Sequence, residues 1–151
     1  MSQTTTLILL PQTSYVNPGN GAPYTVTGNS QPGASYIITP RSLQTVNINV
    51  TNCTGNITIE ASLATTPSST DWFKVYELEA NANAASNSAP QIASNASVYT
   101  NIDGNFVYMR AKVVDFQGGV VNFVKLSYWY EYNCNNARWL SPFSCWTYGI
   151  I

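Results

Sequence analysis

The sequence predicts an all-β protein: an antiparallel β-sandwich of jelly-roll type, with an extended N-terminal arm and an aromatic C-terminal tail. Three observations carry this. Several runs alternate apolar and polar residues with a period of two, the spacing at which successive side chains reach opposite faces of a strand. Gly, Pro, Asn and Asp clusters separate these runs, and no stretch has the period of an amphipathic helix. The chain is 44% hydrophobic but only 9% charged, against about 25% charged in ordinary soluble domains. Its polar surface must come from Ser, Thr and Asn, which make up 48 of the 151 residues. Such a surface hydrogen-bonds readily and repels weakly, as suits a protein packed against neighbours.

The strongest hairpin signal spans residues 105–128. Two runs rich in β-branched and aromatic residues flank Gln117-Gly118-Gly119, and glycine tolerates the positive φ of a tight turn. In the first run Val107, Met109, Ala111 and Val113 fall on one face, and Phe106, Tyr108, Arg110 and Lys112 on the other. The first face is expected in the core and the second outward.

Before it, residues 1–16 read as an extended arm. Thr4-Thr5-Thr6 leads into Leu7-Ile8-Leu9-Leu10, and Pro11 stops the run. A short apolar strand at a terminus adds to its own sheet or reaches a neighbour. Residues 17–34 are dense in Pro, Gly and Asn and read as loop. Ser35 to Thr39 is a short strand ended by Pro40. A second hairpin is expected around Asn52-Cys53-Thr54-Gly55, with Val46, Ile48 and Val50 facing inward before it and Ile57, Ile59, Ala61 and Leu63 after it. Thr65 to Thr70 is a turn. Asp71 to Glu79 is a strand with apolar contacts on both faces, Trp72, Tyr76 and Leu78 on one and Phe73 and Val75 on the other. Residues 80–97 mix Ala with Asn and Ser, which compete for backbone hydrogen bonds, and read as a long surface loop. Asp103-Gly104 is a further turn. These signals divide the chain into an arm and loop (1–34), a sandwich (35–128) and an aromatic segment (129–151).

The final 23 residues carry seven aromatics, including Trp129, Tyr130, Trp139, Phe143, Trp146 and Tyr148, beside two charged residues, Glu131 and Arg138. Exposed, they would form a large apolar patch, so they are expected to cover the sandwich or to bury themselves in a partner.

Chemistry is thinly represented. There is no histidine, the commonest general base and metal ligand. Glu77 and Glu79 share a strand face and are the only carboxylate pair to weigh for hydrolysis, and no nucleophile-elbow or phosphate-loop motif occurs. Neither an enzyme nor a cofactor is expected. Asp103-Gly104-Asn105 could offer oxygens to calcium, but a tight turn explains all three residues. The sequons at Asn49, Asn52, Asn56 and Asn95 fit chance in so Asn- and Thr-rich a chain. Cys53 is expected as a free thiol in its turn; Cys134 and Cys145 could pair. Trp72, Tyr76 and Tyr108 could form a sugar-stacking platform, or sit in the core or an interface. A net charge of −1 with no basic cluster argues against nucleic acid. No segment approaches the ~20 apolar residues of a membrane span. The start has no positive residue and only four consecutive apolar ones, so synthesis in a cytosol is expected.

One further signal is a resemblance. Val46-Asn47-Ile48-Asn49-Val50, then Thr54-Gly55-Asn56-Ile57-Thr58, Asp71-Trp72-Phe73, residues 101–111 (NIDGNFVYMRA) and the Gly118-Gly119 turn follow one another in a distinctive order and spacing. Over residues 44–128 the chain resembles small virion structural proteins of tailed bacteriophages, especially those of cyanobacteria. The resemblance implies a β-sandwich building block of the particle, made in the bacterial cytoplasm, with no catalytic residues. Its partners would be other virion proteins and further copies of itself, on the capsid exterior or in the tail, neck or baseplate. Leu7, Ile8, Leu9 and Leu10 of the arm and the aromatics of the tail are then the expected partner contacts. The alternatives are a carbohydrate- or receptor-binding module of a phage fibre, reading a cell-surface glycan through Trp72, Tyr76 and Tyr108, and a hydrolase using Glu77.

Overall fold

Where the sequence predicts two hairpins, the structure has two long strands. In the computed structural model, which describes residues 2–34, 43–80, 91–92 and 95–131, the elements are β1 (Ser2–Leu10), β2 (Thr13–Ser14), β3 (Tyr24–Thr27), β4 (Gln31–Pro32), β5 (Leu43–Ser62), β6 (Phe73–Ala80), β7 (Gln91–Ile92), β8 (Ala96–Asp103) and β9 (Tyr108–Glu131). The described residues contain no helix, and the strands form one open, predominantly antiparallel sheet. β5 runs straight through the expected turn at 52–55, and β9 through the one at 117–119. The two strands pair with each other, from Gln44↔Tyr128 through Thr54↔Gly118 to Ser62↔Tyr108. The remaining strands are added along their outer edges. β1, β2, β3 and β4 all pair with β9. β8 pairs with residues 43–50 of β5, and β6 with residues 55–61. The short β7 runs parallel to β6.

The turn residues bend the strands without pairing either strand's two halves with each other as a hairpin. Asn52 (φ 49°), Asp115 (φ 53°) and Gly119 (φ 76°) adopt left-handed conformations, and the register shifts between Thr51 and Thr54 and again between Thr54 and Asn56. A bulge moves the inward face by one position. Accordingly the buried apolar residues of β5 pass from even (Val46, Ile48, Val50) to odd (Cys53, Ile57, Ile59, Ala61), and those of β9 from Met109, Ala111 and Val113 to Phe116, Val121, Val124 and Leu126. In a straight strand Gln44 and Ser62 would lie about 60 Å apart. Both are instead bonded to one short segment: Gln44 Nε2 donates to the Gly104 carbonyl (3.1 Å), and the Val107 N–H donates to the Ser62 carbonyl (3.0 Å). The sheet therefore doubles over at the bend, which lets it bury a face although the described residues contain no helix to cover it. Gln44, itself fully buried, joins the ends, because its Oε1 also accepts from the Ala34 N–H (3.0 Å).

Several expectations need correction. Residues 17–34 contain β3 and β4 as well as loop, because β9 offers them an edge to pair with. Leu63 lies beyond the end of β5 and is exposed; Phe106, expected outward, is buried in the turn before β9. Tyr108, Arg110 and Lys112 do face away from the core. Asp103-Gly104-Asn105 turns the chain between β8 and β9 as expected. The Ser35–Thr39 strand, residues 81–90 and 93–94 of the expected loop, Cys134 and Cys145 lie outside the described residues.

The bend carries its own small core. Phe116 is fully buried, with Tyr15 edge-on at 5.6 Å and Tyr24 at 5.8 Å, and these two tyrosines stack on each other at 5.4 Å. Cys53 lies fully buried in the same bend as a free thiol. Burial pushes that thiol up from its ordinary 9.0 to about 11, since a thiolate there would lose its water. A raised folded-state value means the stabilisation is complete below pH 9 and is lost as pH rises towards 11. By linkage the loss amounts to about 3 kcal/mol. Urea midpoints of the wild type should fall more steeply between pH 9 and 11 than those of Cys53→Ala. Parallel slopes in the two proteins would show that the thiol does not titrate as described.

Candidate functional site

On the outer side of the doubled sheet an open groove of about 500 Å³ is lined by Gly28, Asn29, Ser30, Thr65, Thr66, Pro67, Trp72, Tyr108 and Arg110. One wall is the link from β3 to β4; the other is the turn from β5 to β6. Gly28 has to be glycine: its N–H donates to the Ala111 carbonyl (2.8 Å), and a Cβ there would overlap the Leu9 carbonyl. The opposite wall is set by Asp71, whose Oδ2 accepts from the Ser68 N–H (2.6 Å) and Oγ (2.7 Å). Those two bonds hold the Asp71 carboxyl below its ordinary range. Two turn-forming segments thus face each other across outward side chains of β9.

The aromatic platform is held from beneath. The Arg110 guanidinium lies 4.0 Å from the centre of the Trp72 ring, a cation–π contact. Its Nε donates to Glu60 Oε2 (2.7 Å), and Lys112 Nζ approaches Glu60 Oε1 at 3.7 Å. Glu60 and Arg110 stand directly opposite on paired strands. All three charged side chains are mostly shielded from solvent, so the series Lys112–Glu60–Arg110–Trp72 fixes the indole better than an exposed pair would.

Of the three rings expected to form a sugar platform, the fold brings together two. Trp72 and Tyr108 line the groove. Tyr76 is opposite the buried Ile59 and packs against the core, because its strand position points inward. Arg110 was legible only as an outward residue; its role depends on Glu60, fifty positions away. Glu77 is paired with Lys74, and Glu79 stands opposite Asn56.

The expected partner contacts are also separated. Leu9 and Leu10 are buried in the chain's own core, Leu7 packs against it, and Ile8 is 40% exposed. The arm is stitched to β9, with Thr4 opposite Trp129 and Gln3 opposite Tyr130. Trp139, Phe143, Trp146 and Tyr148 lie outside the described residues. A second surface emerges from the register. Ile8 is opposite Lys125, Lys125 opposite Asn47, and Asn47 opposite Tyr99, a single row across β1, β9, β5 and β8. Thr6, Ser127, Thr45 and Asn101 form the next row, with Thr45 Oγ1 donating to Asn101 Oδ1 (2.8 Å). Tyr99 is 72% exposed, and Lys125 is drawn over the Phe123 ring at 4.0 Å. Asn47 Oδ1, at the centre of the first row, is buried without a hydrogen-bond partner among the described residues. Compared with known proteins, the chain matches no family and no curated sequence.

Proposed function

We propose that the chain is a non-enzymatic structural subunit of a bacteriophage virion, a capsid-exterior decoration or a tail, neck or baseplate component, and that its doubled sheet works as a β-sandwich of jelly-roll kind. The observation that carries the subunit reading is the outer row Ile8–Lys125–Asn47–Tyr99. It is framed by Ser, Thr and Asn and carries one charge, Lys125, whose Nζ is drawn over the Phe123 ring, with an exposed aliphatic at one end and an exposed tyrosine at the other. Interfaces favour tyrosine, and a chain with only 9% charged residues has little to keep copies apart. The resemblance over residues 44–128 supplies the particle; the row supplies the contact. The sandwich reading rests on the bonds that tie both ends of β5 to residues 104–107.

Light scattering on the purified full chain tests this. The wild type should be a homo-oligomer, and Ile8→Lys with Tyr99→Lys should be a folded monomer, since exposed substitutions change stability by only about 0.5 kcal/mol. A wild type that stays monomeric at high concentration, or an oligomer indifferent to both lysines, counts against the subunit reading.

A second reading has its own observation. Trp72 and Tyr108 line one groove together with short hydroxyl and amide side chains, which suits a carbohydrate- or receptor-binding module of a fibre.

A further inference from the structure

We infer that the groove binds an uncharged saccharide, with the Glu60–Arg110 pair acting as a positioning device for Trp72; this rests on the carbohydrate reading and narrows it to a ligand class. A sugar presents a face of C–H groups and a rim of hydroxyls. The first stacks on an aromatic ring, and the second needs short donors and acceptors around it. The groove has both kinds of group. Trp72 and Tyr108 supply rings, and Asn29, Ser30, Thr65 and Thr66 supply an amide and three hydroxyls on the two walls. Its volume falls within the ~300–1,000 Å³ of small-ligand sites.

The charge inventory selects the neutral class. Arg110 is the cation that lines the groove, and it is committed to Glu60 on one side and to the Trp72 ring on the other. Adding Lys112 and Glu60 beneath it and Asp71 beside Trp72 gives two positive and two negative groups, a sum of zero. An acidic sugar would have to draw Arg110 away from Glu60 and release the indole. A neutral one leaves that support intact and meets a platform already ordered, so little side-chain entropy is lost on binding.

The test is a glycan array carrying neutral and acidic saccharides, probed with the full chain, followed by calorimetry on the strongest neutral hit. Neutral saccharides should bind with an affinity that is insensitive to added salt. Trp72→Ala should weaken binding by about tenfold or more. Because Trp72 is partly packed, Thr66→Arg on the exposed wall serves as a second variant: it should block the groove without touching the fold. Glu60→Gln should weaken binding and alter the near-ultraviolet signal, and because the chain has four tryptophans the change is assigned to Trp72 by its disappearance when Glu60→Gln is made in the Trp72→Ala background. Binding confined to acidic saccharides and abolished by salt would overturn the neutral class while leaving the carbohydrate reading standing. An array with no hits would remove both. Hits that survive Trp72→Ala and Thr66→Arg alike would place the sugar outside this groove.

Discussion

Gly119→Ala should be among the most damaging single-methyl changes in this protein, and Gly118→Ala next to it should be nearly silent. Gly119 has a φ of 76°, and a Cβ built on it would run into the carbonyl oxygen and carbon of Asn52 and the nitrogen of Cys53. All three are backbone atoms of the partner strand, so none can swing aside as a side chain would. The left-handed conformation alone costs an alanine about 1–2 kcal/mol. The overlap adds to this unless β5 and β9 separate at the bend, which would break the Tyr15 N–H to Gly119 carbonyl bond (2.9 Å) and expose Cys53. A total beyond about 4 kcal/mol is expected, a large share of the ~5–15 kcal/mol that holds a typical domain. At Gly118 the nearest atom to a new Cβ would be Thr54 Oγ1 at 4.0 Å, and φ lies outside the left-handed range. That alanine should change stability by less than about 1 kcal/mol, with a gain from a less flexible unfolded chain offsetting any loss. Urea melts of the two variants decide the matter: equal losses would mean that the bend does not depend on the close approach at Gly119.

The same glycines mark where the sequence was readable and where it was not. Period-two alternation placed eleven residues inward: Val46, Ile48, Val50, Ile57, Ile59, Ala61, Met109, Ala111 and Val113 are buried, whereas Val107, ahead of β9, is half-buried and Leu63, beyond β5, is exposed. Local composition also found the positions where the chain departs from a regular strand, at 52–55 and 118–119. It could not tell what happens there. A left-handed residue serves a hairpin or a bulge equally well. The choice depends on what lies opposite, and Thr54 lies opposite Gly118, 64 positions along the chain. Pairing the two long runs with each other buries both against one shared core and leaves edges for β1, β3, β6 and β8. The groove was half readable for a similar reason. Trp72 and Tyr108 stand out as aromatics in any reading of the sequence. The exclusion of Tyr76 follows from the register shift between Ile59 and Glu60, and the walls come from segments that only the folded sheet brings together.

Phe116→Ala should cost about 3–5 kcal/mol, the usual range for deleting a buried aromatic ring, and the loss should be uneven across the molecule. Phe116 is the ring on which Tyr15 and Tyr24 rest. Those tyrosines also close the loop between them: the Tyr15 hydroxyl donates to the Ala22 carbonyl (3.2 Å), and the Val16 N–H donates to Tyr24 Oη (2.9 Å). Removing the ring opens a cavity beneath both and leaves residues 13–27 with few apolar anchors. Amide exchange of Tyr15 and Val16 should therefore quicken well beyond what the global loss explains, because a segment with little buried contact opens locally. Leu78→Ala is the comparison. It removes a fully buried side chain from β6 at a cost of about 2–5 kcal/mol, yet should leave those two amides no more exposed than the global change requires. The loosening has a consequence for the groove, since Gly28 and its wall follow directly on β3, whose pairing with Phe116 and Val113 holds them in place. Phe116→Ala should thus weaken a ligand bound against Ser30 and Tyr108 at temperatures where most of the protein is still folded, whereas Leu78→Ala should not. Equal exchange and equal binding in the two variants would show that the aromatic cluster at the bend only fills space and does not hold β3 in position.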